Sequence, residues 1–161
     1  GEGAGSVTIS PVRFAAGGTS EKEVNVNWTT DAENLSVADG TVTITNLPVD
    51  AWKNVSTDFS IEEGYTVVKV SVTNATEHLV KFKLSAHDEA WAQIGADSEA
   101  SVVWLEIPAS QTWDFVAVFT PEQAAQVRRL MLMIDCWATG DANAPEAPYN
   151  GTVTINSVVI S

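Results

Sequence analysis

The chain has 161 residues, which suits one domain and is too short for two ordinary ones. Lysine and arginine number 8 against 21 aspartates and glutamates, so the net charge is −13 and the pI about 4.2. That balance argues against nucleic acid, anionic lipid surfaces and acidic polysaccharides as partners. Hydrophobic residues make up 45%, enough to fill a core, and no apolar run approaches the roughly 20 residues of a membrane helix.

In chain order, Gly1 to Gly5 lacks the basic start and apolar run of a signal peptide and reads as a linker remnant, with residues 6–161 as one domain. Period-2 alternation, the mark of a strand with one buried face, then recurs along the chain. Val7, Ile9, Val12 and Phe14 give a first strand broken by Pro11, and Val24, Val26 and Trp28 a second. Further strands follow at Val42–Ile44, Val68–Val72, Val80–His87, Val103–Ile107, Phe115–Phe119, Leu130–Cys136 and Val153–Ile160. The change of phase between Ile155 and Val158 predicts a β-bulge at Asn156-Ser157. Turn signals stand at Gly17-Gly18, Asp39-Gly40, Glu63-Gly64, Asn74 to Thr76 and Asn150-Gly151, and residues 139–150 read as one long loop. One short helix is expected near 121–127, where Thr120 caps and Pro121 opens it. This pattern predicts an all-β chain, an antiparallel two-sheet sandwich of the jelly-roll type.

Six tryptophans need places. Trp28 and Trp113 share the phase of core residues and are expected inside. Trp104 and Trp137 have the opposite phase, Trp91 lies in a loop after the His87 strand, and Trp52 in a loop after Pro48. These four are the exposed candidates. A flat indole is a surface on which a pyranose ring stacks, through dispersion and area burial and without charge. Lys81, Lys83, His87, Glu106 and Asp135 share an outward phase and could hydrogen-bond sugar hydroxyls beside those rings.

Catalytic patterns are scarce. His78 falls in a turn and reads as solvated surface, and Cys136 has the inward phase of its strand. A single cysteine makes neither an internal disulfide nor a multi-cysteine zinc site. Glu106 and Asp135 could in principle flank a glycosidic bond, but acids on strand faces are more often simply solvated. The reading adopted is non-catalytic.

The segments Trp52 to Phe59 followed by Gly64 to Val70, the strands from Val80 to Cys136, and the ending Gly151 to Ile160 together resemble bacterial carbohydrate-binding modules of the β-sandwich superfamily. The resemblance implies a secreted or cell-surface module, monomeric and part of a larger multimodular chain, that binds a neutral glucan or mannan and targets its parent protein to glycan. It matches the sugar-binding aromatics to Trp52, Trp91, Trp104 and Trp137. Many relatives hold a structural calcium ion with an Asp near Asn156; here Asn156 and Ser157 stand instead, and Asp141, Asn143 and Glu146 form an alternative oxygen-rich set. No cofactor is required, and no membrane insertion is implied. The competing reading is a structural or adhesive sandwich of a cell-surface protein with no sugar site.

Overall fold

The structure, a computed structural model, describes residues 20–48, 51–135 and 149–161. The expected first strand at Val7–Phe14, Cys136, Trp137 and the calcium candidates Asp141, Asn143 and Glu146 lie outside the described residues.

Among the described residues ten strands and one helix follow in order: β1 Lys22–Glu23, β2 Leu35–Ala38, β3 Thr41–Leu47, β4 Trp52–Asp58, β5 Val67–Asn74, β6 Val80–His87, β7 Val103–Ile107, β8 Thr112–Val118, α1 Pro121–Gln126, β9 Arg129–Asp135 and β10 Tyr149–Ile160. One sheet runs β2-β3-β10-β5-β8, with β1 also on β10; the other runs β4-β9-β6-β7, and every described pairing is antiparallel. Counted from β3 as first to β10 as eighth, the two sheets read first-eighth-third-sixth and second-seventh-fourth-fifth. That interleaving is the jelly roll, in which the chain passes back and forth between the sheets, save for the β6–β7 hairpin at the centre of the roll.

Alternation drives the layering. On β5, Val68, Val70, Val72 face inward while Lys69, Ser71 and Thr73 do not; on β6, Val80, Phe82 and Leu84 do the same against Lys81 and Lys83. The inner faces meet in one core, where Phe82 of one sheet and Phe115 of the other pack edge to face at 5.9 Å between centroids. Asp39 and Gly40 both have positive φ (51° and 80°) and form the two-residue turn between β2 and β3. A side chain at Gly40 would also meet the Ile155 carbonyl oxygen at 2.7 Å. The bulge falls where the phase change placed it: β10 shifts register against β5 between Ile155 and Ser157, and Asn156 Nδ2 donates to Ser71 and Thr73 hydroxyls. The helix is closed by a capping box, with Thr120 Oγ1 accepting from Gln123 N and Gln123 Oε1 accepting from Thr120 N.

Several expectations need correction. Val24 to Trp28 forms no strand: Val24 N–H bonds to Val158 on one sheet, and Thr29 bridges Ser56 on the other, so the segment crosses between sheets and has no ladder to join. Its phase was right, since Trp28 is buried. Trp52 is the first residue of β4, not a loop residue. Asn150-Gly151 lies inside β10 at a register irregularity against β3, not in a turn. Trp113 has the core phase but is 37% exposed, because it sits near the start of an edge strand; its Nε1 donates to Gln111 Oε1 at 2.8 Å. His78 is half-buried against the Tyr149 ring, with centroids 5.8 Å apart, so it is not a solvated surface residue. Among the described residues no helix is long and apolar enough to cross a membrane.

Candidate functional site

The outer face of the four-stranded sheet carries the chemistry. Register sets its rows. Trp52, Asp135, Lys81 and Glu106 stand in line across β4, β9, β6 and β7. One pleat further come Asn54, Met133, Lys83 and Trp104; then Ser56, Met131 and Ser85; then Asp58, Arg129 and His87. Each of these residues alternates with a core residue such as Val55, Leu132 or Leu84, so all of them point away from the core.

A groove of about 470 Å³ opens on this face. Trp52 and Trp104 bracket it at the two edge strands, Met131 and Met133 form a half-buried apolar floor, and Asn54, Asp135, Lys81, Lys83, Ser85, His87, Gln93 and Asp97 supply polar atoms. Three strand spacings and one pleat separate the two tryptophans, a diagonal of roughly 16 Å between their backbones. Trp52 is 62% exposed. Trp104 is 38% exposed, with the Lys81 and Lys83 ammonium groups 5.2 and 5.1 Å from its ring centroid. Lys83 is pinned by Asp97 at 2.9 Å, and Asp97 also accepts from Gln93 Nε2 at 2.9 Å. The Gln93 hydrogen bond, then that of Lys83, holds the Asp97 carboxyl below its usual range.

His87 and Asp135 have the outward phase but are buried, which the alternation could not show. His87 is covered by the segment that follows it. Its Nδ1 lies 3.1 Å from the Trp91 carbonyl oxygen and its Nε2 2.9 Å from Ser85 Oγ. A carbonyl only accepts, so Nδ1 carries the proton and Nε2 accepts from the Ser85 hydroxyl. Both ring nitrogens are therefore engaged within the protein, and His87 is a scaffold for the groove and not a ready sugar ligand. Burial lowers its pKa below 6.5, and the charges on Lys83 and Arg129 push the same way against the Trp91 carbonyl and Asp88. Glu106 is exposed on the edge strand beyond Lys81 and does not line the groove.

Trp91 lies in the predicted loop, 48% exposed and just outside the groove lining. Arg129 lays its guanidinium over this ring, Cζ to centroid 4.2 Å, and donates from Nη1 to the Asp88 and Glu89 carbonyls. Arg129, Asn54, Ser85, Gln93, Asp97 and the two methionines were not singled out in the sequence. Asn54 and Ser85 were legible in principle, since they alternate in phase with Trp52 and Lys83. Gln93 and Asp97 were not, because a loop has no period.

No protein-family model matches the chain, and no curated protein matches it. Solved structures do resemble it. One is the arabinose-bound α-L-arabinofuranosidase MgGH51, at 8% identity over 85% of this chain and 25% of that one, TM-score 0.49. A second is the T13 IBDV viral particle, at 11% identity over 84% of this chain and 30% of that one, TM-score 0.45. A third is the carbohydrate-binding module TmCBM27, described for specific mannan recognition, at 12% identity over 88% of this chain and 98% of that module, TM-score 0.47. The chain is similar in fold to other carbohydrate-binding modules as well. It spans less than a third of the first two chains and nearly the whole of the module. A fold alone does not fix a function, which has to be argued from the groove.

Proposed function

We propose that the chain is a non-catalytic carbohydrate-binding module that holds a neutral polysaccharide of the glucan or mannan class in the groove between Trp52 and Trp104. The observation that carries this is the bracket itself: two exposed indoles on opposite edge strands of one sheet, with an apolar methionine floor and polar side chains between them. A sugar ring offers an apolar C–H face and a rim of hydroxyls. The first suits the indole and the thioethers, and the second suits Asn54, Asp135, Lys81 and Gln93. Long side chains of both signs can meet hydroxyls that both donate and accept.

Net charge selects within the class. At −13 the molecule repels polyanionic glycans over a Debye length, whereas uncharged chains approach freely. Catalysis is not proposed, because Lys81 stands in register between Glu106 and Asp135, and only Asp135 reaches the groove. A secreted or surface-attached parent chain is part of the proposal, since structural mannans and β-glucans are met in cell walls. Calcium is not assigned to any described residue.

The test is affinity electrophoresis in native gels containing linear mannan, mixed-linkage β-glucan, xylan or starch. Retardation by at least one neutral polymer, lost in Trp52→Ala, is expected. A protein retarded by none of them, and blank on a glycan array, is the adhesive sandwich instead.

A further inference from the structure

Trp91 is not on the line from Trp52 to Trp104, and the structure spends much on holding it where it is. Its φ is +68°, in the left-handed region that a bulky residue rarely adopts. Five hydrogen bonds fix the turn around it. Asp88 Oδ1 accepts from the Ala90 and Ala92 N–H groups at 2.9 Å each, the Asp88 N–H donates to the Ala92 carbonyl, the Trp91 N–H donates to the Asp88 carbonyl, and His87 Nδ1 donates to the Trp91 carbonyl. Arg129 then covers one face of the indole. The ring is thus immobilised from behind while the residue stays 48% exposed.

Its position follows from the register. Trp91 stacks beside the row of His87 and Arg129, with its ring 6.4 Å from the His87 ring. That row lies four residues along β6 from Lys83 and six from Lys81, roughly 14 and 20 Å at the rise of a strand. A chain resting on both Trp52 and Trp104 crosses the strands and moves along them by only one pleat. Its backbone therefore passes Trp91 by. The groove nevertheless extends toward Trp91, because Ser85, His87 and Met131 belong to its lining.

We propose that the Trp91 indole, backed by Arg129, is a second platform that receives a side branch of the polysaccharide whose backbone lies between Trp52 and Trp104, so that the ligand class is a branched neutral glycan. This rests on the reading of the groove as a glycan site. A branch longer than one sugar leaves the backbone over the second row, crosses the Ser85–Met131 floor and stacks on Trp91. Preorganisation explains the anchoring: a ring already fixed loses little freedom when a sugar docks on it.

The experiment pairs polymers with the same backbone, linear β-1,4-mannan with galactomannan and hydroxyethylcellulose, a soluble β-1,4-glucan, with xyloglucan, in affinity electrophoresis and calorimetry on the wild type, Trp91→Ala, Trp91→Tyr and Trp52→Ala. The branched member of one pair is expected to bind more tightly than the linear one. Trp91→Ala should weaken the branched polymer about tenfold and the linear one by less than about twofold, while Trp91→Tyr keeps most of the affinity. Trp52→Ala should weaken both. Equal loss on linear and branched polymers in Trp91→Ala places the backbone over Trp91 and overturns the branch assignment, as does no loss on either or tighter binding of the linear chain. Wild-type protein that binds neither member of any pair, nor any polymer of the gels above, overturns the groove reading itself, a result separate from those; protein retarded only by xylan or starch overturns the branch assignment alone.

Discussion

Truncating Trp52 is the sharpest perturbation the groove allows, because its size can be worked out from exposure. Trp52 is 62% exposed. For a tryptophan surface of roughly 250 Å² that leaves roughly 155 Å² in water, and a sugar stacked on one face removes about half of it. At about 25 cal/mol per Å² the stack contributes about 2 kcal/mol, or roughly 30-fold in Kd. Trp104 is 38% exposed, and the Lys81 and Lys83 ammonium groups already lie against its ring. The same arithmetic gives it about 1.2 kcal/mol, roughly 8-fold. The expected order is thus Trp52→Ala weaker than Trp104→Ala, measured by isothermal titration with whichever neutral polymer retards the wild type. Both variants should keep the wild-type thermal midpoint, since neither ring supports the core. A larger loss at Trp104, or a midpoint that falls with unchanged affinity, would refute this reasoning.

Three further outcomes are expected. Phe115→Ala empties a closed site against Phe82 and should cost about 3–5 kcal/mol in urea unfolding, whereas Trp113→Ala, at the open edge, should cost about 2 kcal/mol because water enters and no sealed cavity remains. His87 has a lowered pKa in the folded protein, so the unfolded chain takes up a proton first as pH falls. Its contribution to stability is complete above pH 6.5 and declines below it; a His87→Gln variant should show a flatter midpoint-against-pH curve through that window. Gly95 has φ +90°, and a Cβ there would run into Ser101 Oγ and stand 2.8 Å from Glu99 Oε1. Gly95→Ala should lower the unfolding free energy by about 1–3 kcal/mol by straining the groove rim, read by chemical denaturation.

Much of the architecture was legible because the chain obeys a period of two. Alternation at Val68–Val72 and Val80–Leu84 located the core faces, and the slip in phase at Asn156 located a bulge that pins β10 against β5. What failed did so at places where burial is not decided by phase. Trp113 has the core phase, but an edge strand leaves more than a third of it in solvent. His87 and Asp135 have the solvent phase and are nonetheless buried on the outer face, His87 beneath the turn that carries Trp91. The groove itself combines both kinds of information. Lys81, Lys83 and Trp104 were visible as one face of two strands, but their meeting with Trp52 depends on β4 joining β9, a pairing across more than 70 residues that no local pattern encodes. The Lys83–Asp97 and Arg129–Trp91 contacts depend on loops folding back over the sheet, which is likewise a property of the assembled sandwich.

The most direct measurement is a crystal of the protein soaked with neutral oligosaccharides, both linear and branched. Sugar density lying flat on the Trp52 indole, with its hydroxyls within hydrogen-bond reach of Asn54, Asp135 or Lys81, is the predicted result. Density confined to the other sheet, or a groove left empty while a polymer is bound in solution, would contradict it.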